Sequence, residues 1–176
     1  MSTVRAMRLR GAPAQAIAWA SGQCDDEKTL WGGCEDATIL AWWLAREASC
    51  AGQGTPKHRR AARVGAELAI SVASGEREWR KPLEFFAGRM RRWSEGDDRV
   101  VPHEISRWAE QFAALFDFPT VASPLAVLAA RCVADVGERY YVAGALERLA
   151  RAAVEVVGHE QACNIIRAIV PTAPEL

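Results

Sequence analysis

The stretch TLWGGCEDATILAWWLAREASC, residues 29–50, decides the fold that this sequence predicts. It holds three of the seven tryptophans and the densest run of large apolar side chains. If residues 36–48 form a helix, the large apolar side chains cover roughly 200° of its circumference, and alanine fills most of the remaining arc. An ordinary surface helix has a narrower apolar stripe. We therefore predict a central helix that packs on several sides and reaches the surface only at Arg46 and Glu47.

A short helix is predicted just before the central one, over residues 26–31. Acidic residues stand at its start, which is the end of a helix that favours negative charge. The pair Gly32-Gly33 then interrupts it. We expect two short elements that meet in a bend at these glycines.

Proline, glycine and capping residues divide the rest of the chain into further helices. Thr55 followed by Pro56, for example, is a good N-cap with proline at the first helical position. Apolar residues recur at helical spacing, no segment alternates like a strand, and the uneven helix lengths argue against a repeat array. The sequence predicts an all-α fold, a compact bundle or irregular array of about seven to eight helices without a sheet. With the bent pair of the central stretch counted as one element, the other predicted helices cover about 13–21, 55–74, 79 or 82 to 94, 102–118, 123–136, 145–158 and 159–170.

The predicted organisation is a single helical domain over residues 13–171. Residues 1–12 are expected to be a basic lead-in without regular structure, and residues 172–176 a short tail. The beginning of the chain imitates a secretion signal, but its apolar part is short and contains Pro13 and Gln15. The five cysteines are irregularly spaced and form no CxxC pair, which favours free thiols in a reducing cytoplasm.

The residue types of catalytic and metal sites are present without the spacing that such sites need. His159 and Cys163 would share a helix face, but a zinc site requires two more ligands. Cys34 follows a glycine pair at a predicted helix start, which would stabilise a thiolate, whereas the carboxylates of Glu35 and Asp36 would oppose it. We expect no catalytic residue, cofactor or metal. An enzyme or small-ligand-binding domain with a pocket among the helices remains an alternative.

The charges are segregated along the chain, although the net charge is zero. Residues 57–92 contain ten basic and four acidic residues, whereas residues 25–47 and 95–117 each contain six acidic and two basic residues. One interpretation is that basic and acidic helices lie side by side and neutralise each other. The other is a cationic surface for an acidic protein partner or, as an alternative, for nucleic acid. The candidate partner-binding residues are Arg59, Arg60, Arg89, Arg91, Arg92 and Trp93.

A pattern of tryptophan and cysteine in the central stretch is similar to a known family signature. Trp31, Cys34 and Trp42 carry it, in the form WxxCxxxxIxxWWL. The pattern resembles that of a family of all-helical immunity proteins from bacterial polymorphic toxin systems. Thr38 and Ile39 stand where that family has an Asp-Trp pair.

The end of the chain resembles the same family. The segment NIIRAIVP, residues 164–171, is similar to the closing helix of these proteins, and the alanine-rich segment 60–75 is compatible with one of their helices. The resemblance implies a non-enzymatic protein-binding domain, which neutralises a toxin or serves as an adaptor. It implies no catalytic residue.

Overall fold

The fold was analysed in a computed structural model, which describes residues 2–23, 26–51, 55–75, 80–96 and 141–174. These residues contain seven α-helices and no strand, so the predicted all-α fold is confirmed. None of the described helices has the length and hydropathy that a bilayer-spanning segment needs. The helices predicted at 102–118 and 123–136 lie outside the described residues. The seven helices are α1 (Thr3–Leu9), α2 (Ala14–Ser21), α3 (Glu27–Gly33), α4 (Ala37–Ala51), α5 (Pro56–Gly75), α6 (Arg80–Ser94) and α7 (Tyr141–Ile169).

Side-chain oxygens cap the starts of the two longest helices of the N-terminal half. Asp36 Oδ1 accepts hydrogen bonds from the backbone N–H and the hydroxyl of Thr38, at 2.8 and 2.6 Å. Thr55 Oγ1 accepts the N–H of His58 at 3.3 Å, and Pro56 occupies the first position of α5, as predicted. These contacts satisfy backbone donors that have no partner inside the helix, which fixes where α4 and α5 begin.

Helix α4 lies in the described core beside α5, which itself packs against α4, α6 and α7. Trp42 is 2% exposed, and Trp43 and Leu44 are fully buried, as its wide apolar arc predicts. The helix packs against both α5 and α7, and the alanines on its remaining arc are buried in these contacts. The prediction that this helix packs on several sides is confirmed.

The polar end of α4 differs from the prediction. The helix continues to Ala51, and of the two residues expected at the surface only Arg46 is exposed, whereas Glu47 is 4% exposed. The Glu47 carboxylate accepts a hydrogen bond from Arg60 Nη2 at 2.7 Å and lies 3.4 Å from Lys57 Nζ. Because two cations of α5 compensate its charge, this carboxylate can lie inside the fold.

Both ends of the described chain pack onto the fold, where the sequence suggested a lead-in and a tail. The first segment forms α1, in which Ser2 Oγ accepts the N–H of Arg5 as an N-cap and Met7 is fully buried. At the other end, the carbonyl oxygen of Pro174 accepts a hydrogen bond from Trp43 Nε1 at 3.0 Å. The basic lead-in is therefore helical, because its apolar side chains find a surface to cover.

Helix α7 is interrupted at Gly158, where φ is 80° and ψ is 166°. Glycine adopts this left-handed φ without the steric cost that other residues meet, and the sequence predicted a helix end here. Beyond the break, His159 Nδ1 accepts the backbone N–H of Ala37 at 3.3 Å. The interruption thus allows the last part of α7 to lie against the start of α4.

His58 makes the stability of the fold depend on pH. Its side chain is buried, and burial, with a smaller effect of Arg59, lowers its pKa below the ordinary value of 6.5. The unfolded chain therefore binds more protons near this pH, so the free energy of unfolding decreases as the pH falls through about 6.5. We expect His58→Gln to lose part of this decrease when unfolding is measured at about pH 7.5 and about pH 5.5. An equal decrease in both proteins would contradict the assignment to His58.

Candidate functional site

The arginines predicted to bind a partner lie on α5 and α6, which pack against each other. Arg59 is half-buried and lies near the end of α6, with Nη1 3.7 Å from where a Cβ at Gly96 would stand. Arg92 is exposed and makes no hydrogen bond or ion pair with the part of the chain that the structure describes. Arg89 and Trp93 belong to α6, but their side chains are outside the described part of the structure.

Two of the predicted arginines are engaged with carboxylates of the same chain. Arg60 binds the buried Glu47, so an acidic stretch and a basic stretch do neutralise each other at this contact. Arg91 donates from Nη2 and Nε to one oxygen of Glu67, at 2.6 and 3.1 Å. The second pair is partly exposed to solvent, and such pairs contribute little to stability. Arg91 is therefore still accessible to a partner, whereas Arg60 is turned into the fold.

We use the name basic surface for Arg59, Arg63, Arg91 and Arg92. Arg59 and Arg63 are four residues apart and share a face of α5 with Glu67, which is four residues further on. The ion pair between Glu67 and Arg91 brings this face beside the last turns of α6. Arg63 and Arg92 are both exposed. The ion pair with Glu67 and the position of Arg59 near Gly96 place the basic face of α5 along the last turns of α6.

A second candidate site is a cleft of about 1000 Å³ between the end of α2, the α3–α4 junction and the part of α7 after Gly158. Sequence analysis missed it because the walls come from distant parts of the chain. The hydrogen bond that joins two of these walls, between Ala37 and His159, spans 122 residues. The cleft is lined by Trp19, Gln23, Gly32, Gly33, Glu35, Asp36, His159, Glu160, Cys163, Asn164 and Arg167.

One side of the cleft is held by residues that carry the family resemblance. The guanidinium of Arg167 donates hydrogen bonds to the carbonyl oxygens of Trp31 and Cys34, at the carboxyl end of α3. Trp31 Nε1 in turn donates to the carbonyl oxygen of Val170 at 3.0 Å. The central pattern and the closing segment therefore contact each other directly. In this fold these residues join two segments and cap a helix end.

The rim of the cleft carries free negative charge. Glu35 and Glu160 are exposed, and neither makes a hydrogen bond or ion pair within the described parts of the chain. Asp36 is engaged, since its second oxygen accepts a hydrogen bond from Gln15 Nε2 at 2.8 Å. His159 accepts the N–H of Ala37 through Nδ1, and the same nitrogen lies 3.6 Å from Asp36 Oδ1.

Cys34 and Cys163, the two cysteines near the cleft, have surroundings typical of structural rather than reactive cysteines. Cys34 and Cys163 are buried, and burial raises the pKa of the Cys34 thiol to about 11 and also raises the pKa of Cys163. A backbone hydrogen bond with Asp36 lowers the pKa of Cys34, whereas the negative charge of Asp36 raises the pKa of both thiols, which is the opposition to a thiolate that the sequence suggested. Among residues that the structure describes, no three His, Cys, Asp or Glu side chains are placed to hold a metal ion.

The described thiols should differ strongly in reactivity. Cys34, Cys50 and Cys163 are free thiols, of which only Cys50 is exposed, whereas Cys24 and Cys132 lie outside the described residues. With a thiol-alkylating reagent near neutral pH, we expect Cys50 to react rapidly in the folded protein and the buried pair to react only after unfolding. Peptide mass spectrometry would measure the order of labelling. Rapid labelling of Cys34 in the folded protein would contradict this assignment.

Comparison with known proteins identifies no relative of this chain. No family model, no curated protein and no solved structure matches the chain. The functional interpretation therefore depends on the two surfaces described above and on the resemblance of the central and closing segments.

Proposed function

We propose that this chain is a non-enzymatic protein-binding domain of the bacterial cytoplasm, which neutralises a toxin as an immunity protein or serves as an adaptor. One observation carries the proposal. The two segments that resemble the immunity family, 31–44 and 164–171, are joined through Arg167, Trp31 and Cys34. The resemblance thus covers a connected part of the fold rather than two unrelated pieces of sequence.

The residues that are similar to the immunity family are not themselves free to bind a partner. Trp31 and Cys34 are buried, and the guanidinium of Arg167 is engaged with backbone carbonyls. A partner must therefore bind elsewhere, and the basic surface is our candidate. Within this surface the side chains of Arg63 and Arg92 are exposed and have no acceptor in the described residues. They favour an acidic protein surface, because charge complementarity accelerates association and selects the partner.

The experiment is a growth assay in which the chain is produced together with the toxin domain encoded next to its gene. We expect the wild type to restore growth and Arg63→Glu/Arg92→Glu to lose protection, since both side chains are exposed. The matched control is Arg5→Glu/Arg8→Glu, which makes the same charge change at exposed positions of α1. Circular dichroism must show that all three proteins are folded.

Three outcomes would contradict the proposal or the site that it assigns. If the wild type gives no protection and does not bind the toxin domain, the role as an immunity protein is wrong. If duplex DNA binds instead, with an affinity that falls steeply between two salt concentrations, the basic surface serves nucleic acid, since phosphate contacts release counterions. Equal protection by both double variants would remove the basic surface as the site.

A further inference from the structure

The glycine pair in the wall of the cleft forms the last two residues of α3, just before the junction with α4. Gly32 and Gly33 belong to α3, and neither has a positive φ that would require glycine. A Cβ added to either residue would meet no atom of a neighbouring element within 4 Å among the residues that the structure describes. Glycine is also unfavourable inside a helix, because it loses more backbone freedom on folding than other residues do. The two residues leave a bare strip of backbone open to the cleft.

Gly65, which serves internal packing, has surroundings different from those of Gly32 and Gly33. A Cβ on Gly65 would stand 2.6 Å from Met90 Cε, so that glycine allows α5 and α6 to approach each other. Gly88 on α6 is a third case, because it also has free space around its Cβ position but does not line the cleft. An open glycine alone is therefore no sign of a site, and the surroundings of Gly32 and Gly33 must supply the rest.

Those surroundings favour a planar cation. Three carboxylates line the cleft, those of Glu35, Asp36 and Glu160, against the single guanidinium of Arg167. The Arg167 guanidinium already donates hydrogen bonds to the carbonyl oxygens of Trp31 and Cys34. Both the cation and the two carbonyls are therefore occupied within the chain. The carboxylates of Glu35 and Glu160 are without partners in the described chain, and both can accept hydrogen bonds.

The remaining wall includes an aromatic side chain. Trp19 is half-buried at the cleft, and the amides of Gln23 and Asn164 are exposed beside it. A guanidinium donates hydrogen bonds to carboxylates in a fixed plane and also stacks on aromatic rings, whereas an ammonium group is a compact, strongly hydrated charge. The combination of carboxylates, a tryptophan and a wall without side chains fits a flat, extended cation.

We propose that the cleft binds an arginine side chain presented by a partner polypeptide. Glu35 and Glu160 bind its guanidinium, Trp19 packs on its plane, and Gly32 and Gly33 leave room for the peptide beside it. The site lies on α2, α3, the α3–α4 junction and α7, whereas the basic surface lies on α5 and α6. This inference does not rest on the proposed function, and a toxin assay is not needed to test it.

The test is a titration of the ¹⁵N-labelled chain with the blocked tripeptide acetyl-Gly-Arg-Gly-amide, followed by NMR. We expect saturable shifts of the Gly32 and Gly33 amides and of the Trp19 indole N–H, and weaker binding of the lysine tripeptide. Glu35→Gln/Glu160→Gln should reduce the affinity by about tenfold or more, since hydrogen bonds to charged groups are lost.

Two glycine variants separate a binding role from a structural one. Gly32→Ala should raise the melting temperature by roughly 1–4 °C, because alanine is the better helix former, and should weaken the tripeptide severalfold. Gly88→Ala, the matched control on α6, should also stabilise the chain and leave the affinity unchanged. The proposal is overturned if no saturable shifts occur at the cleft, if the lysine tripeptide binds equally well, or if Gly32→Ala binds like the wild type.

Discussion

Replacing Trp43 with alanine is expected to lower the free energy of unfolding by about 3–5 kcal/mol, the usual range for deleting a large buried aromatic side chain. Trp43 is fully buried, and its ring meets that of Trp31 edge to face, with centroids 5.7 Å apart. Its indole N–H also holds the carbonyl of Pro174. The variant therefore loses packing, an aromatic contact and the anchor of the C-terminal segment. Urea unfolding at equilibrium would measure the change.

Two phenylalanine variants test the contribution of the hydrogen bond separately. Trp43→Phe should lose about 1 kcal/mol more than packing alone explains, because the Pro174 carbonyl loses its donor. Trp42→Phe should be better tolerated, because within the described structure the buried Trp42 Nε1 has no partner to lose. Trp42→Ala should still cost about 3–5 kcal/mol. A loss below about 1 kcal/mol for either alanine variant would show that α4 is peripheral.

The second large effect is expected from Glu47→Ala, at about 3 kcal/mol, the low end of the range for breaking a buried ion pair. The carboxylate is buried, and its removal leaves Arg60 without the acceptor of its Nη2, next to an Nε that already lacks a partner in the described structure. We choose the low end because the Arg60 side chain is about one third exposed.

The control for this variant is Glu67→Ala, which breaks the ion pair with Arg91. Both partners are substantially exposed there, so we expect a loss of only about 0–1 kcal/mol. Thermal unfolding of the two variants under the same conditions would compare them. Equal losses would contradict a structural role for the buried carboxylate.

The sequence predicts the core of this fold well, because the decisive signals are local. The wide apolar arc around Trp42 and Trp43 requires burial on several sides whatever the partner helices are. Thr55-Pro56 and Gly158 mark helix ends through the conformations that these residues favour. Such signals need no knowledge of distant contacts.

What the sequence does not predict depends on contacts between distant segments. Glu47 looks like a surface residue until Lys57 and Arg60 are seen beside it. The basic first residues look irregular until Met7 is seen in the core. The cleft forms only because the start of α4 meets His159, so its glycines and carboxylates could be recognised individually but not as one site.

The difference between distinctive local patterns and contacts between distant segments also matters for function. The tryptophan and cysteine pattern is the most distinctive feature of the sequence. Its residues Trp31 and Cys34 form hydrogen bonds that hold α3 to the end of α7. The residues that can still bind something are less distinctive: exposed arginines on α5 and α6, and carboxylates around the cleft. Variants of the first set should change stability, whereas variants of the second should change binding in a folded protein.

Amide hydrogen exchange tests most directly the claim that α4 belongs to the centre of the fold, together with α5. Because α4 packs against both α5 and α7, its amides should open only when the whole chain unfolds. Peptides covering residues 37–51 should therefore be among the slowest to exchange, with an opening free energy equal to that of global unfolding. Exchange of this segment as fast as that of α6, at a free energy well below global unfolding, would contradict the account.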